Sequence, residues 1–219
     1  MTDIVPFLIR CPTCGGFLKK GVNLFGDEDQ GAKYWSDGKK TAPNHPESPS
    51  VSRCPHCSHF FYPEDAPEII DERLMNDENL LRNTPWMTGL KSPDEWFEVL
   101  NDHAIIDDDR EIQLRIGAWQ ASNDPYRLTQ VTSENPAVPR DKELTENMEA
   151  LLGLLMDRIA EDRLLIAELC RELGRFEEAQ THLIAPFPKG FEPAVQRVSR
   201  LASEGKGEVV ELEFKHEPF

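Results

Sequence analysis

Hydrophobic residues recur every three or four positions through most of the chain beyond residue 68, which is the period of an amphipathic helix. Ile112, Ile116 and Trp119, for example, fall at i, i+4 and i+7 and form one apolar stripe. The same pattern predicts helices in six further segments, residues 69–81, 92–100, 148–155, 164–173, 176–183 and 193–201. This part of the chain is therefore predicted to be mostly helical.

Polar residues mark the ends of several of these helices. The Ser-Pro-Asp-Glu sequence at 92–95 has the pattern of a capping box with proline at the first helical position. Three aspartates at 107–109 favour the start of another helix, because carboxylates stabilise the positive end of a helix dipole. The Asn-Asp-Pro sequence at 123–125 predicts the end of that helix, and residues 129–140 predict a loop.

The period of two that is typical of a strand occurs near the C-terminus. Residues 208–214 alternate polar and apolar side chains, which predicts a strand with one buried face. A single strand needs a partner, and the other short apolar runs lie in the first 63 residues, so we expect this strand to pair with the N-terminal region. The predicted fold class is α+β, with a small N-terminal β module, a mostly α-helical bundle and a C-terminal β-strand.

Two Cys-Pro-x-Cys sequences give the N-terminal region its candidate chemistry. They place Cys11 and Cys14 in one pair and Cys54 and Cys57 in another, with 39 residues between the pairs. Four thiolates are the donor set of a closed tetrahedral zinc site, and proline presets the backbone for the tight turn that brings two sulfurs together. The four cysteines are therefore predicted to bind a structural Zn²⁺. Glycine follows the first pair but Ser58 follows the second, which makes the second turn less favourable.

Short apolar runs before and after each cysteine pair complete the pattern of two hairpins. Over residues 4–63 the chain resembles a zinc ribbon, in which two hairpins each carry a cysteine knuckle and one ion joins them. A rubredoxin-like iron site and a catalytic dithiol are the alternatives, and the lack of glycine after Cys57 weakens the first. Trp35, between the two pairs, is expected to be a core aromatic under the ribbon, with an exposed anchor for a partner as the alternative.

The distribution of charge predicts where the domains meet. The net charge is −16, yet residues 1–63 contain seven Lys/Arg and six Asp/Glu, whereas residues 64–219 contain 17 and 34. We therefore predict a zinc-ribbon domain over residues 1–66 and an acidic helical domain over 67–219. An acidic body repels a phosphate backbone, so nucleic acid binding is expected only through the N-terminal module, if at all.

Residues 166–179 resemble the middle of a tetratricopeptide repeat. That family has small residues packing two helices and a Gly-x-aromatic turn between them, and the matching residues here are Ala167, Gly174, Phe176 and Ala179. The family pattern has a tryptophan-like residue at the position that Arg163 occupies here, so Arg163 departs from the pattern. The sequence also has no second clear copy of the repeat. The resemblance implies one helical hairpin, about residues 161–184, inside an irregular bundle. Cys170 in this hairpin is interpreted as a small buried hydrophobe and His182 as a structural histidine.

A phosphate-binding glycine loop, a G-x-S-x-G motif, an H-E-x-x-H motif and a paired His/Cys nucleophile signature do not occur in the sequence. Four thiolates would also leave a zinc ion no position for a water molecule. No segment approaches the roughly 20 apolar residues that span a bilayer, and the first residues do not have the pattern of a secretory signal. A cytoplasmic protein without a membrane span is expected, in a compartment where paired CxxC sequences bind metal more often than they form disulfides.

The leading hypothesis is a non-enzymatic cytoplasmic adaptor that binds a protein partner with a basic or hydrophobic surface. The alternative is a nucleic-acid-associated zinc-ribbon factor, and the third option is an enzyme whose active site has no recognisable motif. The residues expected to contact nucleic acid in the alternative are Lys19, Lys20, Lys33, Lys39, Lys40 and Arg53.

Overall fold

The computed structural model describes residues 4–23, 31–42, 49–102, 107–129 and 141–212. Contacts divide the chain into two compact units, which we call the cysteine unit (Met1–Ala32 and Ala42–Lys91) and the helical unit (Lys33–Thr41 and Ser92–Phe219). The predicted loop at 129–140 lies outside the described residues, apart from its first residue, which ends a helix. The α+β fold class is confirmed.

The described strands and helices follow the order that the sequence patterns predict. The strands are β1 (Ile4–Arg10), β2 (Phe17–Asn23), β3 (Lys33–Trp35), β4 (Lys40–Thr41), β5 (Ser52–Arg53), β6 (Phe60–Phe61) and β7 (Glu211–Leu212). The helices are α1 (Glu72–Met75), α2 (Glu78–Asn83), α3 (Pro93–Asn101), α4 (Asp108–Thr129), α5 (Lys142–Leu154), α6 (Ala160–Glu172), α7 (Phe176–Leu183) and α8 (Glu192–Ser203).

The cysteine unit contains two antiparallel hairpins, β1–β2 and β5–β6, and each carries one Cys-Pro-x-Cys sequence at its turn. The hairpins enclose a small core formed by Ile9, Cys11, Leu18, Cys54, Phe61 and Ala66. The first cysteine of each pair is therefore part of the apolar core. These two candidate metal ligands are also packing residues.

Segments beyond the second hairpin cover the edges of these strands. The Arg10 N–H donates to the Pro67 carbonyl at 3.0 Å, and the Ile69 N–H donates to Leu8 at 2.9 Å. Further along, the Met87 N–H donates to the Lys19 carbonyl of β2 at 2.8 Å. These ladder bonds explain why the cysteine unit continues to Lys91. The domain boundary that the distribution of charge predicts after residue 66 stays a prediction.

The helix predicted over residues 69–81 is divided into α1 and α2. Asp77 interrupts it, because its carboxylate accepts hydrogen bonds from the N–H groups of Asn79 and Leu80 and so caps α2. The capping box at the start of α3 is confirmed: the Glu95 N–H donates to Ser92 Oγ, and the Ser92 N–H donates to the Glu95 carboxylate, both at 3.3 Å.

The C-terminal strand is confirmed over Glu211–Leu212, and residues 213–214 lie outside the described part of the chain. It pairs antiparallel with β3, opposite Tyr34 and Trp35, and the sheet order is β4-β3-β7. Its partner does lie in the N-terminal region, as expected, but that partner belongs to the helical unit. The segment between the two cysteine pairs is thus a structural part of the helical unit.

Trp35 is buried, with 5% of its surface exposed, and it belongs to the helical unit, whereas its position between the cysteine pairs predicts a core aromatic under the ribbon. The Arg127 guanidinium carbon of α4 lies 5.3 Å from the centre of its ring, and its indole N–H donates to Thr41 Oγ1 at 3.2 Å. The tryptophan is therefore a core residue of the helical unit.

Helix α4 continues through Pro125 to Thr129, so the helix end predicted at 123–125 is wrong. Side chains on both sides of the proline are held in the interior: Asn123 donates to Asp37 Oδ2 at 3.1 Å, and Arg127 forms an ion pair with the same carboxylate. Arg127 also donates to the Gln120 carbonyl at 3.2 Å. These bonds stabilise the last turn against the loss of one backbone hydrogen bond at proline.

Asp37 is the centre of a buried polar network in the helical unit. It follows β3 and is fully buried, as is Trp119. Asn123 and Glu172 are almost fully buried. The indole N–H of Trp119 donates to Glu172 at 3.0 Å, and Asn123 bridges Glu172 and Asp37. Burial raises the pKa of Asp37 and the Arg127 guanidinium opposes that shift, so the ion pair offsets part of the cost of desolvation.

Helices α6 and α7 pack against each other across a turn at Gly174, whose φ is +78°. The Arg175 N–H donates to the Cys170 carbonyl at 2.8 Å and closes this turn, while Ala179 is fully buried between helices. A helical hairpin is therefore present where residues 161–184 predict one. Its likeness to a tetratricopeptide repeat remains a resemblance.

Candidate metal centre

The four cysteine thiols of the cysteine unit converge on one point. The Sγ atoms of Cys11 and Cys57 are 3.8 Å apart, as are those of Cys14 and Cys54, and all four lie within 4.8 Å of one another. Four sulfurs about 2.3 Å from a central zinc ion would be separated by about 3.8 Å. The thiols are thus spaced to bind a metal ion, and each short separation joins one hairpin to the other.

The two turns that carry the thiols have the same hydrogen bonds. In each turn the first cysteine donates its N–H to the residue five positions on, and the residue after the second cysteine donates back to the first. The pairs are Cys11 to Gly16 at 2.9 Å, Gly15 to Cys11 at 2.8 Å, Cys54 to His59 at 2.9 Å and Ser58 to Cys54 at 2.8 Å. The site is therefore built from two equivalent knuckles.

An arginine and a phenylalanine extend this equivalence and were missed in the sequence analysis. The guanidinium carbon of Arg10 lies 4.4 Å from the centre of the Phe17 ring, and that of Arg53 lies 5.0 Å from Phe60. Each guanidinium also donates to the carbonyl at the end of its own knuckle. The signal was present as a repeated eight-residue sequence, Arg-Cys-Pro-x-Cys-x-x-Phe.

His56 packs the second knuckle on the first. Its ring lies where a side chain at Gly16 would be, since a Cβ there would be 2.5 Å from the ring, and its Nε2 lies 3.0 Å from the Phe17 carbonyl oxygen. His59 Nδ1 lies 3.1 Å from the Cys57 carbonyl oxygen. Both histidines contact backbone groups, and neither belongs to the cluster of thiols.

The environment of the thiols differs between the sulfurs. Cys11 and Cys54 are buried, Cys57 is partly buried and Cys14 is exposed. Burial disfavours the Cys11 thiolate, but N–H groups of Cys14 and Thr13 and the neighbouring thiols donate to it, and its pKa is lowered to about 7. Burial raises the pKa of Cys54 to about 12. The Cys11 thiolate is thus stabilised by neighbouring thiols that keep their protons. A bound metal ion would displace those protons.

The basic residues proposed for nucleic acid contact are divided between the two units. Lys19, Lys20 and Arg53 belong to the cysteine unit, whereas the other three, Lys33, Lys39 and Lys40, belong to the helical unit. Lys33 is paired with Glu211 and Lys39 with Asp124, both at 2.7 Å. Of the two aromatic residues that a nucleic acid site among these cations would expose, Trp35 is buried and Tyr34 is partly buried.

No protein-family model matches this chain, and no curated protein or solved structure matches it. Within the parts of the chain that the structure describes, no helix combines the length and the apolar character that a membrane span requires.

Proposed function

We propose that this chain is a non-enzymatic adaptor with a structural Zn²⁺ at Cys11, Cys14, Cys54 and Cys57. In this proposal the acidic helical unit binds a protein partner with a basic surface, and the protein acts in the cytoplasm. The observation that carries the proposal is the cluster of four convergent thiols in a chain whose helical unit is strongly acidic.

Zinc is favoured because thiolates are soft ligands and four of them complete its tetrahedral coordination. A structural role is favoured because the strands of the second hairpin have two residues each and the core cluster of the cysteine unit contains six buried residues. Small units of this kind take much of their folding free energy from the metal. A tetrahedron filled by four protein ligands has no open position for a substrate.

A basic partner is favoured by the distribution of charge between the units. The helical unit contains 17 Lys/Arg and 28 Asp/Glu, a net charge of −11. The cysteine unit, which includes residues 64–91, contains seven and 12, a net charge of −5. Complementary charge steers association and repels partners of the same sign, so an acidic surface selects a basic one.

Metal analysis of the purified protein tests the structural zinc site. We expect Cys54→Ser to lose about one equivalent of zinc relative to the unsubstituted protein and to make the cysteine unit sensitive to protease. Thr13→Ala is the matched control, because Thr13 is an exposed residue of the other knuckle that is not a ligand. Iron in place of zinc, or full zinc content in Cys54→Ser, would contradict the proposal.

Affinity purification at low and high salt tests the partner. We expect a basic protein that is retained at low salt, is released at high salt and binds the purified chain directly with the same salt dependence. The absence of such a protein, together with turnover of a small molecule by the purified chain, would contradict an adaptor role.

One observation favours the nucleic acid alternative. Lys19 Nζ lies 4.8 Å from the centre of the Trp86 ring and donates to the Leu81 carbonyl at 2.9 Å, and Trp86 is 46% exposed, so an exposed aromatic surface lies beside a cation. Such pairs bind single-stranded nucleic acid by stacking. A shift of single-stranded RNA or DNA at low salt that Trp86→Ala abolishes would favour this alternative over the adaptor.

A further inference from the structure

A second group of potential metal ligands lies in the helical unit, in residues that the four-cysteine site does not use. Cys170 Sγ of α6, a carboxylate oxygen of Glu178 and an imidazole nitrogen of His182, both of α7, all lie within 4.8 Å of one another. The three side chains supply sulfur, oxygen and nitrogen donors, which together suit a transition-metal ion of intermediate softness.

The helical hairpin brings these three groups together. Glu178 and His182 are four residues apart, so they lie on the same face of α7. The turn at Gly174 folds α7 against α6, and Cys170 lies one turn before it. Cys170 has no exposed surface, whereas the Glu178 and His182 side chains are 52% and 22% exposed. An ion would therefore reach the buried sulfur from the side where the carboxylate and imidazole meet solvent.

Asp157, in the connection between α5 and α6, holds the histidine. Its Oδ1 lies 2.8 Å from His182 Nδ1, which is hydrogen-bonding distance. Histidine ligands of metals commonly donate their second nitrogen to a carboxylate in this way, which fixes the ring and strengthens the ligand. Asp157 thus orients the imidazole as the carboxylate beside a metal-binding histidine does.

The charges around the cluster favour a cation. Glu149, Asp157 and Glu178 are acidic, and the neighbouring basic group, Arg175, is paired with Glu149 while its nearest contact to Glu178 is 4.0 Å. Cysteine, histidine and aspartate could also form a nucleophilic triad, but the sulfur is inaccessible to a substrate. The Cys170 side chain has no exposed surface.

We propose that Cys170, Glu178 and His182 form a second metal site, which binds one Zn²⁺ with three protein ligands and a fourth position open to water or to an incoming ligand. Asp157 acts as the positioning residue for His182. The site is independent of the four-cysteine cluster and does not rest on the adaptor proposal.

Zinc titration of the full chain, followed by metal analysis after gel filtration, tests this site. We expect two zinc ions per chain in the unsubstituted protein and one in His182→Ala or Glu178→Gln. Glu177→Gln is the matched control, because Glu177 is an exposed acidic neighbour in the same turn of α7 and should leave two ions bound. Because these side chains lie at the surface, circular dichroism should be unchanged.

The positioning role has its own measurement. Asp157→Asn should keep two zinc ions at saturation but weaken the second by about 10- to 100-fold, which competition with a chromophoric chelator would measure. Titration with Co²⁺ should show a thiolate charge-transfer increment that Cys170→Ala lacks, in addition to the band of the four-cysteine site. Unchanged zinc content in both His182→Ala and Glu178→Gln, or equal loss in Glu177→Gln and Glu178→Gln, would overturn the proposal.

Discussion

Gly15 and Ser58 occupy equivalent positions in the two cysteine knuckles, with φ angles of +72° and +63°. Each donates its N–H to the carbonyl of the first cysteine of its pair at 2.8 Å. Among the described residues Ser58 is the only non-glycine residue with a positive φ. The second knuckle thus has a serine in the left-handed conformation that a glycine adopts in the first knuckle.

Exchange at these two positions should have opposite effects. The left-handed conformation costs a residue with a Cβ roughly 1–2 kcal/mol, part of which the greater entropy of unfolded glycine cancels. Ser58→Gly should therefore raise the free energy of unfolding of the cysteine unit by about 0.5–1 kcal/mol. Gly15→Ala should lower it by about the same amount, since no atom lies near the added Cβ. Denaturant titration of both metal-bound variants checks this, and destabilisation by Ser58→Gly would contradict it.

The buried ion pair between Asp37 and Arg127 should give non-additive substitutions. Removal of either partner leaves a buried charge without compensation, and we expect Asp37→Ala and Arg127→Ala each to cost about 3–5 kcal/mol. The double variant should cost clearly less than their sum, as measured by urea unfolding followed by circular dichroism. Lys33→Ala, which breaks an exposed pair with Glu211, should cost under about 1 kcal/mol. Additive costs would show that the two charges do not compensate each other.

Trp35 should act as a core residue of the helical unit although it lies between the two cysteine pairs. Its truncation to alanine should cost about 3–5 kcal/mol in the unfolding of that unit, because a buried aromatic ring and its contact with Arg127 are lost. Zinc content should not change. Trp86→Ala is the control, because that tryptophan is 46% exposed and should cost much less. Loss of zinc in Trp35→Ala, with an unchanged free energy of unfolding of the helical unit, would contradict this prediction and show that Trp35 supports the cysteine site.

Gly117 and Gly153 both lie within helices but differ in their surroundings. A Cβ at Gly117 of α4 would be 2.4 Å from the Trp96 ring of α3, whereas a Cβ at Gly153 of α5 would meet no atom within 4 Å. Gly117→Ala should therefore destabilise the protein by about 1–3 kcal/mol through overpacking. Gly153→Ala should stabilise it by about 0.5–1 kcal/mol through helix propensity. Thermal unfolding of the two variants checks the signs, and equal shifts would contradict the contact with Trp96.

Local patterns predicted the helices well, because periodic apolar residues and caps act within one element. Ser92 and Glu95 form the predicted cap, and α7 has the predicted bounds. The end of α4 was predicted wrongly because contacts from Asp37, distant in sequence, outweigh the cost of Pro125. The strand that pairs with β7 could not be predicted either, because the pairing joins segments far apart in the sequence and local patterns contain no information about it. The cluster at Cys170, Glu178 and His182 could have been sought from the i, i+4 spacing and the turn between the helices.

The pairing of β3 with β7 joins two segments that are far apart in the sequence. β3 lies between the two cysteine pairs, whereas β7 follows α8. Residues 33–41 supply Trp35 and Asp37 to the interior of the helical unit. A nascent chain therefore contains these two residues long before it contains the strand that pairs with β3, and this sheet can be completed only after α8 has been translated.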